Sequence, residues 1–199
     1  VYRVQQLPLT VRHCVWDFGR LSNENETKYI CKIVSTKLQG TTDLADPDNV
    51  ARVFSHCLSQ SQALMRELGG ECSFVSLRDI ERAVLMFRWF FSKRRMLRLE
   101  ADVGTTLANL DGSLLGHVRP DGSPLVHVVT ACIILSLAVC YYCKLDLNRQ
   151  EYRQRAAAWL QIAVEVPDAY QIQGPDPAEQ FKHIIEDCQQ LFGTELEHT

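Results

Sequence analysis

The chain has 199 residues, 46% of them hydrophobic and 23% charged, the balance of a soluble globular protein with a core of its own. A net charge of -3 argues against a dedicated nucleic-acid binder, though not against a local basic patch. The length suits one large domain or two small ones.

The predicted elements follow in chain order. The first residue is Val and the opening Y-R-V falls mid-pattern, as in a piece of a longer chain, so the lack of a signal peptide excludes nothing. Residues 1–5 read as the end of a short strand, broken by Leu7 and Pro8. Residues 11–18 read as a short helix ending at Gly19, with Asp17 of V-W-D-F-G as an undecided local cap. Asn23 and Glu26 form a capping box for a helix over about 24–38, with Ile30, Ile33, Val34 and Leu38 inward. The loop over 40–46 is polar. Asp46 then caps a helix, Pro47 takes its first position, and Gly69 and Gly70 end it. Val50, Val53, Phe54, Cys57, Leu58, Leu64, Met65 and Leu68 mark its apolar face.

The next helix, 76–99, carries the sharpest question in the chain. Ser76 and Asp79 make a capping box, and Val75 and Ile80 stand where a hydrophobic staple closes over it. Leu77, Ile80, Val84, Phe87 and Phe91 repeat as a buried stripe. Arg78 fits badly. A cation in the first turn opposes the helix dipole and costs roughly 0.3–1 kcal/mol. Arg82, one turn on, repels it. Two readings stand. An anion binds at this helix end, where backbone N–H groups and guanidinium forks both suit phosphate. Alternatively, Arg78 pairs with Glu81 and Arg82 with Asp79 on a plain surface. The basic end of the helix (Arg88, Lys93, Arg94, Arg95 and Arg98) reads either as favourable charge at a C-terminus or as a contact for nucleic acid or acidic protein.

Residues 100–124, with glycines at 104, 112, 116 and 122, read as a linker or exposed loop. Residues 125–143 carry no charge, and their clearly polar side chains are His127, Thr130 and Ser136. That length allows a membrane span, but the amphipathic neighbours favour a helix buried in a bundle. Residues 148–164 form an amphipathic helix with Tyr152, Ala156, Trp159, Leu160 and Ala163 inward. After a loop, Asp176, Pro177 and Glu179 start a last helix that buries Phe181, Ile184, Ile185, Cys188 and Leu191.

No catalytic set is complete. The chain has no phosphate loop of the G-x-x-x-x-G-K-[ST] kind, no G-x-G-x-x-G and no G-x-S-x-G. The six histidines are scattered. Among the eight cysteines, Cys140 and Cys143 form a lone C-x-x-C inside an apolar run, short of the four converging ligands zinc needs. Free buried thiols in a reducing cytosol, with no metal site, are the reading.

Two stretches carry a resemblance. Y-R-V-Q-Q-L-P…W-D-F-G-R-L…Y-I, within residues 2–34, and S-F-V-S-L-R-D-I-E-R, within 73–91, are similar in order and separation to the mysterin family. These are giant RING-finger E3 ubiquitin-protein ligases with dynein-like AAA+ units. The L-A-V-C-Y-Y run and the E-Y-R after it are a looser match. The resemblance implies a mainly α fold: the helical lid of an AAA+ module followed by further helices, with at most one short strand at the N-terminal edge. Residues 1–8 would be the last strand of the AAA+ α/β core, and 9–99 the lid with its sensor-2-like helix 76–99. Residues 100–123 would be a loop, and 124–199 helices leading to the next unit. The S-L-R-D start also resembles the sensor-2 element of AAA+ ATPases, whose Arg reaches the γ-phosphate of ATP. That role carries over to Arg78, and more weakly to Arg82. The implied cofactors are ATP and Mg in the parent AAA+ unit, with zinc only in the parent RING. The implied partners are neighbouring AAA+ units, a ubiquitin-conjugating enzyme and ubiquitin, in the cytosol, with neither nucleic acid nor a transmembrane span. Walker A, Walker B and the RING are missing from these residues, so no catalytic residue is expected here and the piece alone should be inactive. The alternative is a helical structural or interaction module with no nucleotide role. A membrane-associated protein using 125–143 is a third option.

Overall fold

The computed structural model describes residues 8–12, 14–15, 21–44, 46–68, 75–95, 97, 128–145, 147–162 and 177–196. Among them are seven α-helices and no strand. The helices are α1 (Leu9–Arg12), α2 (Asn23–Leu38), α3 (Pro47–Leu68), α4 (Leu77–Ser92), α5 (Val128–Cys140), α6 (Arg149–Ile162) and α7 (Pro177–Leu196). A 3-10 turn, Tyr142–Lys144, follows α5. The mainly α expectation holds. The strand expected at 1–5, the W-D-F-G stretch, the glycines at 69–70 and the linker 100–124 lie outside the described residues.

Local signals account for the starts of α2, α3 and α4. Asp46 Oδ1 accepts from the Asn49 N–H at 3.1 Å and caps α3 ahead of Pro47. At α2 the cap is Ser22, one residue earlier than expected; its hydroxyl accepts from the Asn25 N–H at 3.3 Å. Glu26 does not close a box there. Its carboxylate is drawn across to Arg66 at the end of α3, 2.8 Å away. Between α2 and α3 the chain turns through Gly40 at φ +79°, a conformation that suits a residue without a Cβ. Of the short helix expected at 11–18, residues 11–12 belong to the single turn α1 and 14–15 are not helical, while 13 and 16–18 lie outside the described residues.

The helix expected to run to residue 99 stops at Ser92. The Lys93 N–H bonds the Trp89 and Phe90 carbonyls. Arg94 folds back over the Phe91 ring, 4.4 Å from its centroid, and donates to the Phe91 carbonyl at 2.9 Å. Its other nitrogen meets Asp43 at 3.3 Å. Of the basic cluster, Arg94 thus meets the C-terminal end of α4.

The helices pack as two four-membered rings that share the α3–α5 edge. One ring is α2, α3, α5 and α4; the other is α3, α6, α7 and α5. A single hydrophobic core runs from Ile30 to Cys188 through both rings. α5 is buried almost all round, with only Val139 exposed. Among the described residues no helix is long and apolar enough to cross a membrane. Inside α5, the Ser136 hydroxyl bonds the Cys132 carbonyl at 2.6 Å, so that polar group is buried with a partner.

Candidate functional site

The start of α4 is built on its cap. Asp79 Oδ2 accepts from the Ser76 N–H at 2.8 Å and from the Ser76 hydroxyl at 3.1 Å. Gln62 of α3 donates to the Ser76 carbonyl at 2.8 Å, which ties the capping residue to the neighbouring helix. Below the cap, Ile80, Val84 and Phe87 are fully buried and Phe91 nearly so; Val75 and Leu77 pack against the same core. Phe87 lies 5.3 Å from Phe54 of α3 and 6.0 Å from Phe91, centroid to centroid. The predicted box and stripe are both present, and they fix the direction in which the exposed face of α4 points.

Asp79 is only 6% exposed. Its Oδ1 faces Lys144 Nζ of the 3-10 turn at 3.0 Å and an Arg82 guanidinium nitrogen at 3.6 Å. Burial alone would raise its pKa. The Lys144 hydrogen bond, the Ser76 N–H and the Lys144 charge outweigh burial, and the carboxyl titrates below its ordinary 3.8. Lys144 also lies over the Tyr141 ring, 5.8 Å from its centroid.

The two arginines fare differently. Arg82 has the expected Asp79 contact but stays 63% exposed. Arg78 does not pair with Glu81, because Glu81 faces Lys37 of α2 at 3.5 Å. Arg78 is exposed and has no acidic partner among the described residues. Two cations thus meet one nearly buried carboxylate, Lys144 and Arg82 against Asp79, and Arg78 stands one helical turn before Arg82. Two guanidinium groups one turn apart at the positive end of a helix suit an oxyanion. Lys144 and Gln62 were not foreseen as parts of this site. The K-L-D after the apolar run carries no local signal that its lysine donates to the capping carboxylate of a helix 65 residues earlier.

The remaining chemistry is that of the core. Burial pushes the Cys57 and Cys132 thiols up to about 12 and Cys140 up to about 11, so all three are poor nucleophiles. Cys140 is buried and Cys143 exposed. Among the described residues no three His, Cys, Asp or Glu side chains converge on a common point. The Asp79 carboxylate is held by Lys144 and Ser76.

No family model matches the chain. The E3 ubiquitin-protein ligase RNF213 of Homo sapiens is 36% identical over 157 residues, 79% of the chain. The E3 ubiquitin-protein ligase rnf213-beta of Danio rerio is 36% identical over 152 residues, 76% of the chain. The RNF213 of Mus musculus is 35% identical over 159 residues, 79% of the chain. The chain is homologous to a segment of RNF213. This is the mysterin of the resemblance found in residues 2–34 and 73–91. The chain spans 3% of the length of each RNF213 relative.

Proposed function

We propose that the chain is the lid and following linker of an AAA+ unit in an RNF213-type ATPase and ubiquitin ligase of the cytosol. In this reading Arg78 senses the γ-phosphate of MgATP and Arg82 supports it. The charge they meet is larger before hydrolysis than after, so the lid position follows nucleotide state. Ubiquitin transfer, with its zinc, conjugating enzyme and ubiquitin, belongs to the RING elsewhere in the parent. Neighbouring AAA+ units would receive the lid's movement through α5 to α7.

The observation that supports this reading is Arg78. It opposes the helix dipole, stands exposed behind a complete cap, and has no acidic partner among the described residues, since Glu81 is taken by Lys37. The test uses the whole AAA+ unit. Arg78→Ala is expected to weaken MgATP binding or slow turnover. Unchanged affinity together with unchanged turnover removes the sensor role.

A second reading has its own observation. Leu85 and Trp89 continue the exposed face of α4 beyond Arg82, 55% and 39% exposed. A helical module that docks a neighbour through this face, without nucleotide, would lose that contact on Leu85→Ala and be indifferent to Arg78→Ala.

A further inference from the structure

The Asp79 carboxylate has a fixed division of labour. Oδ2 is used by the Ser76 N–H and hydroxyl, so the group cannot rotate without opening the cap. Oδ1 is shared, with Lys144 at 3.0 Å and Arg82 at 3.6 Å. Lys144 is the nearer and less exposed partner, 34% against 63%. It belongs to the turn after α5, not to α4.

We infer that Lys144 is a positioning residue for nucleotide: by holding Asp79 Oδ1 at 3.0 Å it weakens that carboxylate's 3.6 Å hold on Arg82, so that the guanidinium can turn to an anion beside Arg78. The inference rests on the reading that these arginines face nucleotide, and it adds the route by which the helices after the lid would influence affinity. With Lys144 in place the four groups carry a net charge of about +2 by ordinary side-chain ionisation. Without it, Oδ1 has only Arg82 to turn to. Arg82 then closes on Asp79, the local charge falls to about +1, and one guanidinium is withdrawn from the anion. A shift of the 3-10 turn relative to α4 would act in the same way as losing Lys144. Movement of α5 to α7 and nucleotide affinity are therefore linked in both directions.

The test is a set of MgATP affinities on the whole AAA+ unit. Lys144→Met is expected to weaken binding about three- to tenfold, the effect of one unit charge at several ångströms in a wet site. Asp79→Asn removes the competing charge and is expected to tighten binding by a similar factor. The double variant Lys144→Met/Asp79→Asn is expected to return close to wild type. If Lys144 and Asp79 only held the fold together, both single variants would weaken binding and the double variant would be worst; that pattern overturns the inference. Thermal melts show whether Asp79→Asn is folded at the assay temperature. If it is not, the second arm decides. Arg82→Ala should cost less affinity in the Lys144→Met background than in wild type, and equal losses overturn the inference. The nucleotide reading fails separately, if neither Arg78→Ala nor Arg82→Ala alters MgATP affinity.

Discussion

Lys144 Nζ sits 3.0 Å from Oδ1 of Asp79, joining the turn after α5 to the first turn of α4 across 65 residues of chain. The same carboxylate bonds the Ser76 N–H. One side chain thus closes a helix cap and an interhelical ion pair together, and its loss removes both.

Asp79→Ala is therefore expected to destabilise the protein by about 1–3 kcal/mol, the sum of a lost cap and a partly exposed charged hydrogen bond. Asp79→Asn keeps an acceptor for the Ser76 N–H and should cost less. Urea denaturation of the three proteins at neutral pH gives the order directly, and an alanine variant as stable as wild type contradicts it.

The depressed pKa of Asp79 also sets a pH window. A carboxyl that titrates lower when folded contributes stability above its unfolded value near 3.8, and that contribution is lost as pH falls through the folded value. The stability gap between wild type and Asp79→Asn should be constant from pH 5 to 7, about the range where the group is ionised in both states, and shrink below about pH 4. A gap that does not narrow in acid would show that charge on Asp79 is irrelevant to the fold.

Phe87 fills the α3–α4 contact, fully buried against Phe54 and Phe91. Phe87→Ala should cost about 3–5 kcal/mol through transfer and cavity terms. Leu85, two residues earlier and exposed, should cost under about 0.5 kcal/mol on the same change. Paired melts distinguish the two faces of α4; similar losses at both positions would contradict the packing.

The buried Ser61 and Tyr152 hydroxyls meet at 2.9 Å between α3 and α6. Ser61 also donates to the Cys57 carbonyl at 2.7 Å, so it keeps a partner when Tyr152 becomes Phe. Tyr152→Phe should cost about 1 kcal/mol. Ser61→Ala leaves the Tyr152 hydroxyl buried alone, and about 1–3 kcal/mol is expected. Chemical denaturation that ranks the two variants in the opposite order would refute this hydrogen-bond assignment.

Arg78→Ala should leave stability within about 0.5 kcal/mol of wild type, or slightly improve it, because it removes a cation from the positive end of a helix. A loss above roughly 1 kcal/mol would mean that the arginine serves the fold, and would weaken the case that it is held ready for an anion.

The start of α3, the cap of α4 and the apolar stripe beneath that cap were legible in the residues themselves. Each depends on groups within one or two turns: Asp46 with the Asn49 N–H, Asp79 with Ser76, and Ile80, Val84 and Phe87 in helical register. Composition also showed that α5 carries no charge. That it is a core helix follows from α3, α4 and α7 packed around it. What the sequence could not supply were the long-range partners. Glu26 left its expected box for Arg66, 40 residues on; Arg94 turned back to end α4 and met Asp43, 51 residues away; Glu81 went to Lys37, leaving Arg78 without it. Charged side chains are long, and several candidates lie within reach of each. Helical spacing proposes pairs within one turn, but the pairs that form depend on which distant segments folding brings to the same few ångströms.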